Sequence, residues 1–290
     1  GNNKDQRWAF RFKENRQLSK FSTYIDWSKS SDSMVLLDLP SSITNIANQR
    51  DHYLNQTFSM NFISKNFYVS LSREGYQSLN PFINNGYIKN PGIHIEYFNN
   101  TSKISYFTKI DYASFDTDKS TNQFFTNNSI SETGKRSIAE IGAEILYDFK
   151  YLNIAISSST LHKKYNLDKK NSHSFSSSIP SFKINFTSLL KKSTASGISL
   201  IMPEVVYHKT NYKDQSLNPI FDLHQRNSGN LNELRNEYFF GKDRVPDTEF
   251  LAAKLSWQKK MHKNQKFAFQ LIKKNELETS RVINAMLKSP

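Results

Sequence analysis

Read in steps of two, most of this chain alternates between apolar and polar residues, the period of a strand whose two faces meet different surroundings. Trp8, Phe10 and Phe12 share one face of a first segment, with Ala9, Arg11 and Lys13 on the other. Phe21, Thr23, Ile25 and Trp27 oppose Ser22, Tyr24, Asp26 and Ser28. The pattern returns at Phe58, Met60 and Phe62, at Phe67, Val69 and Leu71, and at Ile93, Ile95 and Tyr97. It continues at Ile104, Tyr106, Ile110 and Tyr112, at Ile141, Ala143, Ile145 and Tyr147, and at Leu152, Ile154 and Ile156. Phe182, Ile184 and Phe186 follow, then a longer run over 197–212 interrupted by Pro203. Leu251, Ala253, Leu255 and Trp257, then Phe267, Phe269 and Leu271, lead to a closing stretch, Arg281 to Leu287. Helical periodicity is nearly absent.

The connections carry a second rhythm. Short links at Lys65-Asn66, Asn99–Ser102, Asp148–Lys150 and Lys260–Gln265 alternate with long polar ones at Glu74–Pro91, Asp116–Arg136, Lys163–Ser172 and Lys213–Val245. Outer-membrane barrels alternate in this way, with short periplasmic turns and longer outside loops. Periplasmic termini demand an even strand count. Thirteen segments are clear, and counting Met34–Leu39 as a strand, after a turn at Ser28–Ser33, gives fourteen. The expected fold class is therefore all-β, a single antiparallel up-and-down transmembrane β-barrel of about 14 strands spanning residues 1–290.

Composition changes this picture little. Of 290 residues, 37% are hydrophobic and 22% charged, and no apolar run is long enough for a transmembrane helix. A strand that exposes only every second residue to lipid averages out as polar, in keeping with a mean hydropathy of −0.64. Cysteine is absent, which removes disulfides and thiolate metal sites. The net charge of +13 suits an anionic partner such as lipopolysaccharide. The basic residues are scattered, without an arginine-rich block, so nucleic acid is not an expected partner.

A soluble sandwich or barrel also alternates. Lipid is favoured because the polar face carries too many charges for a dry core: Arg11, Lys13, Asp26, Glu96, Lys109, Asp111, Glu144, Lys183 and Lys254. In a wide barrel these line a wet lumen. Aromatics near segment ends, among them Trp8, Trp27, Tyr97, Tyr112, Tyr147 and Trp257, match interfacial girdles.

The C-terminal order of features resembles the barrel of the surface lipoprotein assembly modifier family. The likeness is carried by Phe240, Gly241, Lys242, Arg244, Asp247 and Glu249 ahead of a strand, and by Arg281 and Val282 opening the last segment. It covers about the last 55 residues. It implies a 14-stranded outer-membrane barrel of a Gram-negative bacterium that helps lipoproteins, or haem- and metal-acquisition proteins, reach the cell surface. The helical-repeat periplasmic domain of that family has no counterpart here, so the chain is expected to be the barrel alone. The alternatives are a porin-like channel or polysaccharide-export barrel, and a soluble β-rich binding protein.

No catalytic constellation, cofactor motif or metal-binding trio is legible, and no enzymatic activity is expected. His94 and Glu96, two apart, share a strand face, but a polar pair in a lumen explains them. Glu144 and Asp148 lie roughly 13 Å apart along one strand, too far for paired-carboxylate hydrolysis. Two loop stretches are candidate contacts for cargo. Ser78–Gly92 offers Phe82 and Tyr87, and Gly241–Glu249 offers Lys242, Arg244, Asp247 and Glu249.

Overall fold

A computed structural model turns the period-two segments into strands. It describes residues 7–32, 35, 53–79, 86–117, 133–168, 174–195, 197–222, 224–225, 239–261, 266–278 and 280–283. The strands are β1 (Ala9–Leu18), β2 (Phe21–Ser30), β3 (Tyr53–Ile63), β4 (Phe67–Ser78), β5 (Tyr87–Asn100), β6 (Ile104–Thr117), β7 (Gly134–Asp148) and β8 (Asn153–Leu167). They continue as β9 (Ser174–Thr187), β10 (Leu190–Thr194), β11 (Gly197–Thr210), β12 (His224–Gln225), β13 (Phe239–Phe240), β14 (Glu249–Met261) and β15 (Lys266–Glu278). One sheet of 13 strands runs in chain order from β1 to β9 and on through β11 and β14 to β15, with β10 paired to β11. β12 and β13 form a separate two-stranded ribbon. The chain divides into two compact units, Gly1–Tyr97 with Lys109–Ala139 and Lys163–Ser176, and Phe98–Thr108 with Glu140–His162 and Ser177–Pro290.

Register sorts the side chains, because residues directly opposite in an antiparallel ladder share a face. In the first unit Phe12 pairs with Trp27, Ile25 with Phe58, Met60 with Leu71, Leu71 with Ile93 and Phe67 with Tyr97. The opposite face joins Arg11 to Ser28, Lys13 to Asp26 and Tyr68 to Glu96. In the second unit Val205 pairs with Phe186 and Ala253, Leu255 with Leu271 and Trp257 with Phe269, whereas Lys183 faces His208 and Lys254 faces Glu204. The apolar side chains stand in the open: Phe12, Leu71, Ile141, Leu255 and Phe269 are all exposed. A water-soluble sheet would bury this face. The all-β, antiparallel up-and-down expectation is therefore met.

Three expectations change. The segment Met34–Leu39 lies outside the described residues except for Val35, which is helical and buried rather than extended. The closing stretch Arg281–Leu287 is not a final strand where it is described: Arg281–Ile283 form a helical turn, and β15 is the last strand of the sheet. Parity is met differently. The tight turn at Ser19-Lys20 joins β1 to β2, helped by Ser19 at φ 52°, with no glycine to announce it. The short connections then join β1 to β2, β3 to β4, β5 to β6, β7 to β8 and β14 to β15, so the pairing of strands into hairpins starts at β1. Among the described residues no ladder joins β1 to β15.

Candidate functional site

The polar face of the sheet is built by the residues that alternate with the exposed apolar ones. On the β1–β2 pair the Arg11 guanidinium lies 3.4 Å from the Asp26 carboxylate, and Asp26 is buried. On β5 and β6, His94 is held between two carboxylates, 2.7 Å from Asp111 and 3.0 Å from Glu96. The edge of Tyr68 packs on the same imidazole, with centroids 5.8 Å apart. Lys89 pairs with Glu74 across the β4–β5 ladder. In the second unit Lys254 reaches Glu204 at 3.7 Å, and Asn185 donates to Glu204 at 3.2 Å. Lys183 makes no ion pair among the described residues; its register partner is His208. Val206, Phe250 and Ala252 form a fully buried apolar patch on this face, and the Lys274 ammonium sits 4.5 Å over the Phe250 ring. Gly142 stands on this face too. A Cβ there would meet the Phe107 ring at 2.5 Å, which places the side chains alternating with it, Glu144 among them, on the same side. Lys109 shares its side of β6 with Asp111. By register, contact or strand parity, Arg11, Lys13, Asp26, Glu96, Lys109 and Asp111 lie on the polar face of the first unit, and Lys183 and Lys254 on that of the second, where Glu144 shares its side of β7 with Gly142.

The described parts of the long connection from β11 to β14, residues 211–222 and 239–248, are tied together as a knot. Asp243 is fully buried, and its carboxylate accepts the backbone N–H groups of Phe221 at 2.8 Å and Asp222 at 2.9 Å. Asn218 donates to the Asp243 carbonyl at 2.8 Å. Gln215 imitates a strand, donating to the Val245 carbonyl at 2.7 Å and accepting the Val245 N–H at 3.0 Å. Arg244 donates to the Asn218 carbonyl at 2.6 Å. Gly241 is needed because its φ is +85° and a Cβ would sit 1.9 Å from the Asp222 carbonyl oxygen. At the base of the connection, the Asp214 carboxyl lies below its ordinary range because the Ser216 N–H and hydroxyl donate to it.

Asp247 ties this knot to the C-terminal residues. Its carboxylate accepts the Ser280 hydroxyl at 2.7 Å and the N–H groups of Val282 at 3.0 Å and Arg281 at 3.1 Å. Ser280 in turn accepts the Ile283 N–H at 3.2 Å, the bond of a serine N-cap. Partial burial pushes the Asp247 carboxyl up, but the three donors outweigh it and hold the group below its ordinary value.

The loop candidates therefore separate. Arg244 and Asp247 are bonded within the knot and its C-terminal cap, and the Lys242 N–H donates to the Asp222 carboxylate at 3.0 Å. Glu249 stands on the other face, at the end of the apolar band, accepting from Tyr207 and Lys209, both at 2.6 Å. Tyr87 begins β5 with its ring edge-on to Phe115. Phe82 lies outside the described residues. His94 was legible as a partner of Glu96, but its stronger link to Asp111 on the next strand was not. Asp243 and Gln215 were missed, since nothing in their spacing signals bonds spanning 20–30 residues. Among the described residues no group of His, Asp and Glu is arranged to hold a metal ion.

Comparison with known families gives one result. Residues 5–283 match the model of the family described as LptD, LPS transport system D. The matched family is not the surface lipoprotein assembly modifier family that the C-terminal residues resemble. What the two have in common, an outer-membrane barrel engaged in transport, is retained, and a protein cargo gains no support. A search of the curated proteins gave no match.

Proposed function

Given that this chain belongs to the LptD family, LPS transport system D, whose members are outer-membrane β-barrels of Gram-negative bacteria, we propose that it moves lipopolysaccharide to the outer membrane. The observation that carries the reading is the family match over residues 5–283, on a sheet with one exposed apolar face and one charged face. The physical logic is that of an amphiphilic cargo. Phosphate and sugar groups need a wet, cation-bearing surface, while acyl chains need hydrocarbon. Arg11, Lys13, Lys109, Lys183 and Lys254 supply cations on the polar face, and Lys183 makes no ion pair among the described residues. A chain with net charge +13 attracts an anionic glycolipid before any specific contact forms.

Site-specific photocrosslinking in living cells tests this. A photoreactive residue at Lys13 or Lys183 should yield adducts detected by anti-lipopolysaccharide antibody, and one at Leu255 on the apolar face should yield fewer. Adducts with a lipoprotein and none with lipopolysaccharide would overturn the proposal and restore a protein cargo.

A further inference from the structure

We propose that Lys191, Lys260 and Lys266, on the polar face of the second unit, bind a phosphate group of the glycolipid cargo. The inference rests on the reading that lipopolysaccharide moves along this face, and it names the place where the charged headgroup is held.

Register brings the three lysines together at one end of four strands. Lys260 stands directly opposite Lys266 in the β14–β15 ladder and opposite Ile198 in the β11–β14 ladder. In the next row of the same face, Lys191 pairs with Leu200, Leu200 with Gln258 and Gln258 with Ala268. This is the side of β14 that carries Lys254, since Lys254, Gln258 and Lys260 alternate with the outward residues. Lys191 is two strands away from Lys260, about 10 Å sideways, within the joint span of two four-carbon lysine stems. The surface between them is concave, and Ile198, Leu200 and Ala268 line the same depression as the three lysines.

Charge sets this place apart. No Asp or Glu occurs over residues 169–203 or 250–275, so β10, residues 197–203 of β11 and the adjoining ends of β14 and β15 carry cations alone. Further along β14, Lys254 is matched by Glu204. Lys191, Lys260 and Lys266 are exposed, and none of them meets a carboxylate among the described residues. Like charges directly opposite in an antiparallel pair are destabilising, because their Cβ atoms are only about 5 Å apart. Lys260 and Lys266 are therefore stabilised by any anion that settles between them. A phosphate monoester carries about −1.5 to −2 charges, more than a carboxylate or a phosphodiester, and answers three ammonium groups best. The aliphatic floor offers those groups no competing charge.

Placement gives the site its role. β10 passes to β11 through 195–196 and β14 to β15 through 262–265, and such short turns are periplasmic in outer-membrane barrels. Lys254 and Lys183 lie farther along the same face. A headgroup arriving from the periplasm meets Lys260 and Lys266 before it meets those two.

Equilibrium binding to the detergent-solubilised chain tests the proposal. The probes are lipopolysaccharide, lipopolysaccharide dephosphorylated by hydrofluoric acid, phosphatidylglycerol and inorganic phosphate. Wild type should hold lipopolysaccharide at least about tenfold more tightly than each of the others, and K260Q/K266Q should lose about tenfold of that affinity, the scale of one charge-assisted hydrogen bond. K260R/K266R should retain it. Without ligand, K260Q/K266Q should unfold at the same or a higher urea concentration, because the repulsion between the two lysines is gone. A lower midpoint would mark a structural pair and overturn the proposal, as would unchanged affinity in K260Q/K266Q or equal binding of the dephosphorylated probe. Inorganic phosphate bound as tightly makes this a free anion site, and phosphatidylglycerol bound as tightly makes it a general surface for anionic lipid; either result overturns it. If the double variant does not fold, the wild-type comparison of phosphorylated with dephosphorylated lipopolysaccharide decides alone. Failure of the cargo reading looks different: no lipopolysaccharide adduct forms at Lys13 or Lys183 in cells, whereas adducts there with unchanged binding by K260Q/K266Q remove this site only.

Discussion

Leu255 and Ser256 are neighbours in sequence and opposites in surroundings, so an arginine at each separates the two faces of the sheet. Leu255 is the seventh of the 13 residues of β14, about 20 Å along the strand from either end. Its register partners are Pro203 and Leu271, and it is 42% exposed. Ser256 pairs with Met202 and Gln270 on the polar face. If hydrocarbon covers the Leu255 side, L255R places a cation near the bilayer midplane and costs about 2–4 kcal/mol. S256R adds a charge to a wet surface that already carries Lys254 and Glu204, and should stay within about 0.5 kcal/mol. Urea unfolding in phospholipid vesicles, followed by fluorescence of the three tryptophans, measures both. Equal costs, or a larger cost for S256R, would show that the exposed apolar face does not meet lipid.

Four further outcomes follow from the knot and the polar face. D243A leaves the buried N–H groups of Phe221 and Asp222 without their acceptor, at about 1–3 kcal/mol each, and should speed proteolysis between residues 211 and 248 as read by mass mapping. G241A forces a Cβ against the Asp222 carbonyl at positive φ and should loosen the same region by about 1–3 kcal/mol, while a substitution at exposed Leu217 should not. Docking of Ser280–Ile283 should depend on acid. Because Asp247 titrates below its ordinary 3.8 when folded, its contribution is complete above that value and fades only as pH falls through the lower folded value. Hydrogen exchange at Arg281 and Val282 should therefore report protection, relative to D247A, that persists at pH 5 and disappears only in stronger acid. H94F removes the imidazole nitrogens that link Glu96 to Asp111 and should cost about 1–2 kcal/mol in the urea assay, with H94Q retaining part of it.

The strands were legible because two-residue periodicity is a local property: Phe67, Val69 and Leu71 announce their face whatever they pair with. Turns that rely on glycine or asparagine would have been legible too, but Ser19-Lys20 reverses the chain with a serine at positive φ. The expected count of about 14 strands is close to the 13 of the sheet, but the parity argument rested on Met34–Leu39 where the Ser19-Lys20 hairpin turn was needed. The knot was hidden because its information is not local. Gln215 and Val245 exchange two hydrogen bonds across 30 residues, and Asp243 is understood only once Phe221 and Asp222 are beside it. Arg281–Leu287 read as a strand because so short an alternating run satisfies a strand and a helix almost equally. The cap from Asp247, 33 to 35 residues upstream, favours the helix.

While a protein cargo gains no support, that same cap shows what the residues behind the C-terminal resemblance do in this chain. The residues that carried it include Gly241, Arg244, Asp247, Arg281 and Val282. In the structure they do one job together. Gly241 lets the chain pass against Asp222, Arg244 gathers the carbonyls of that segment, and Asp247 binds the backbone of Arg281 and Val282. These residues are spent on closing a long connection beside the last described strand. A cargo would instead be read by side chains whose hydrogen bonds are still unspent, such as Lys183 on the polar face. No spacing rule marks those, because a charge facing water costs little at almost any alternate position. The C-terminal residues that are easiest to single out in this sequence are thus the ones least informative about a cargo.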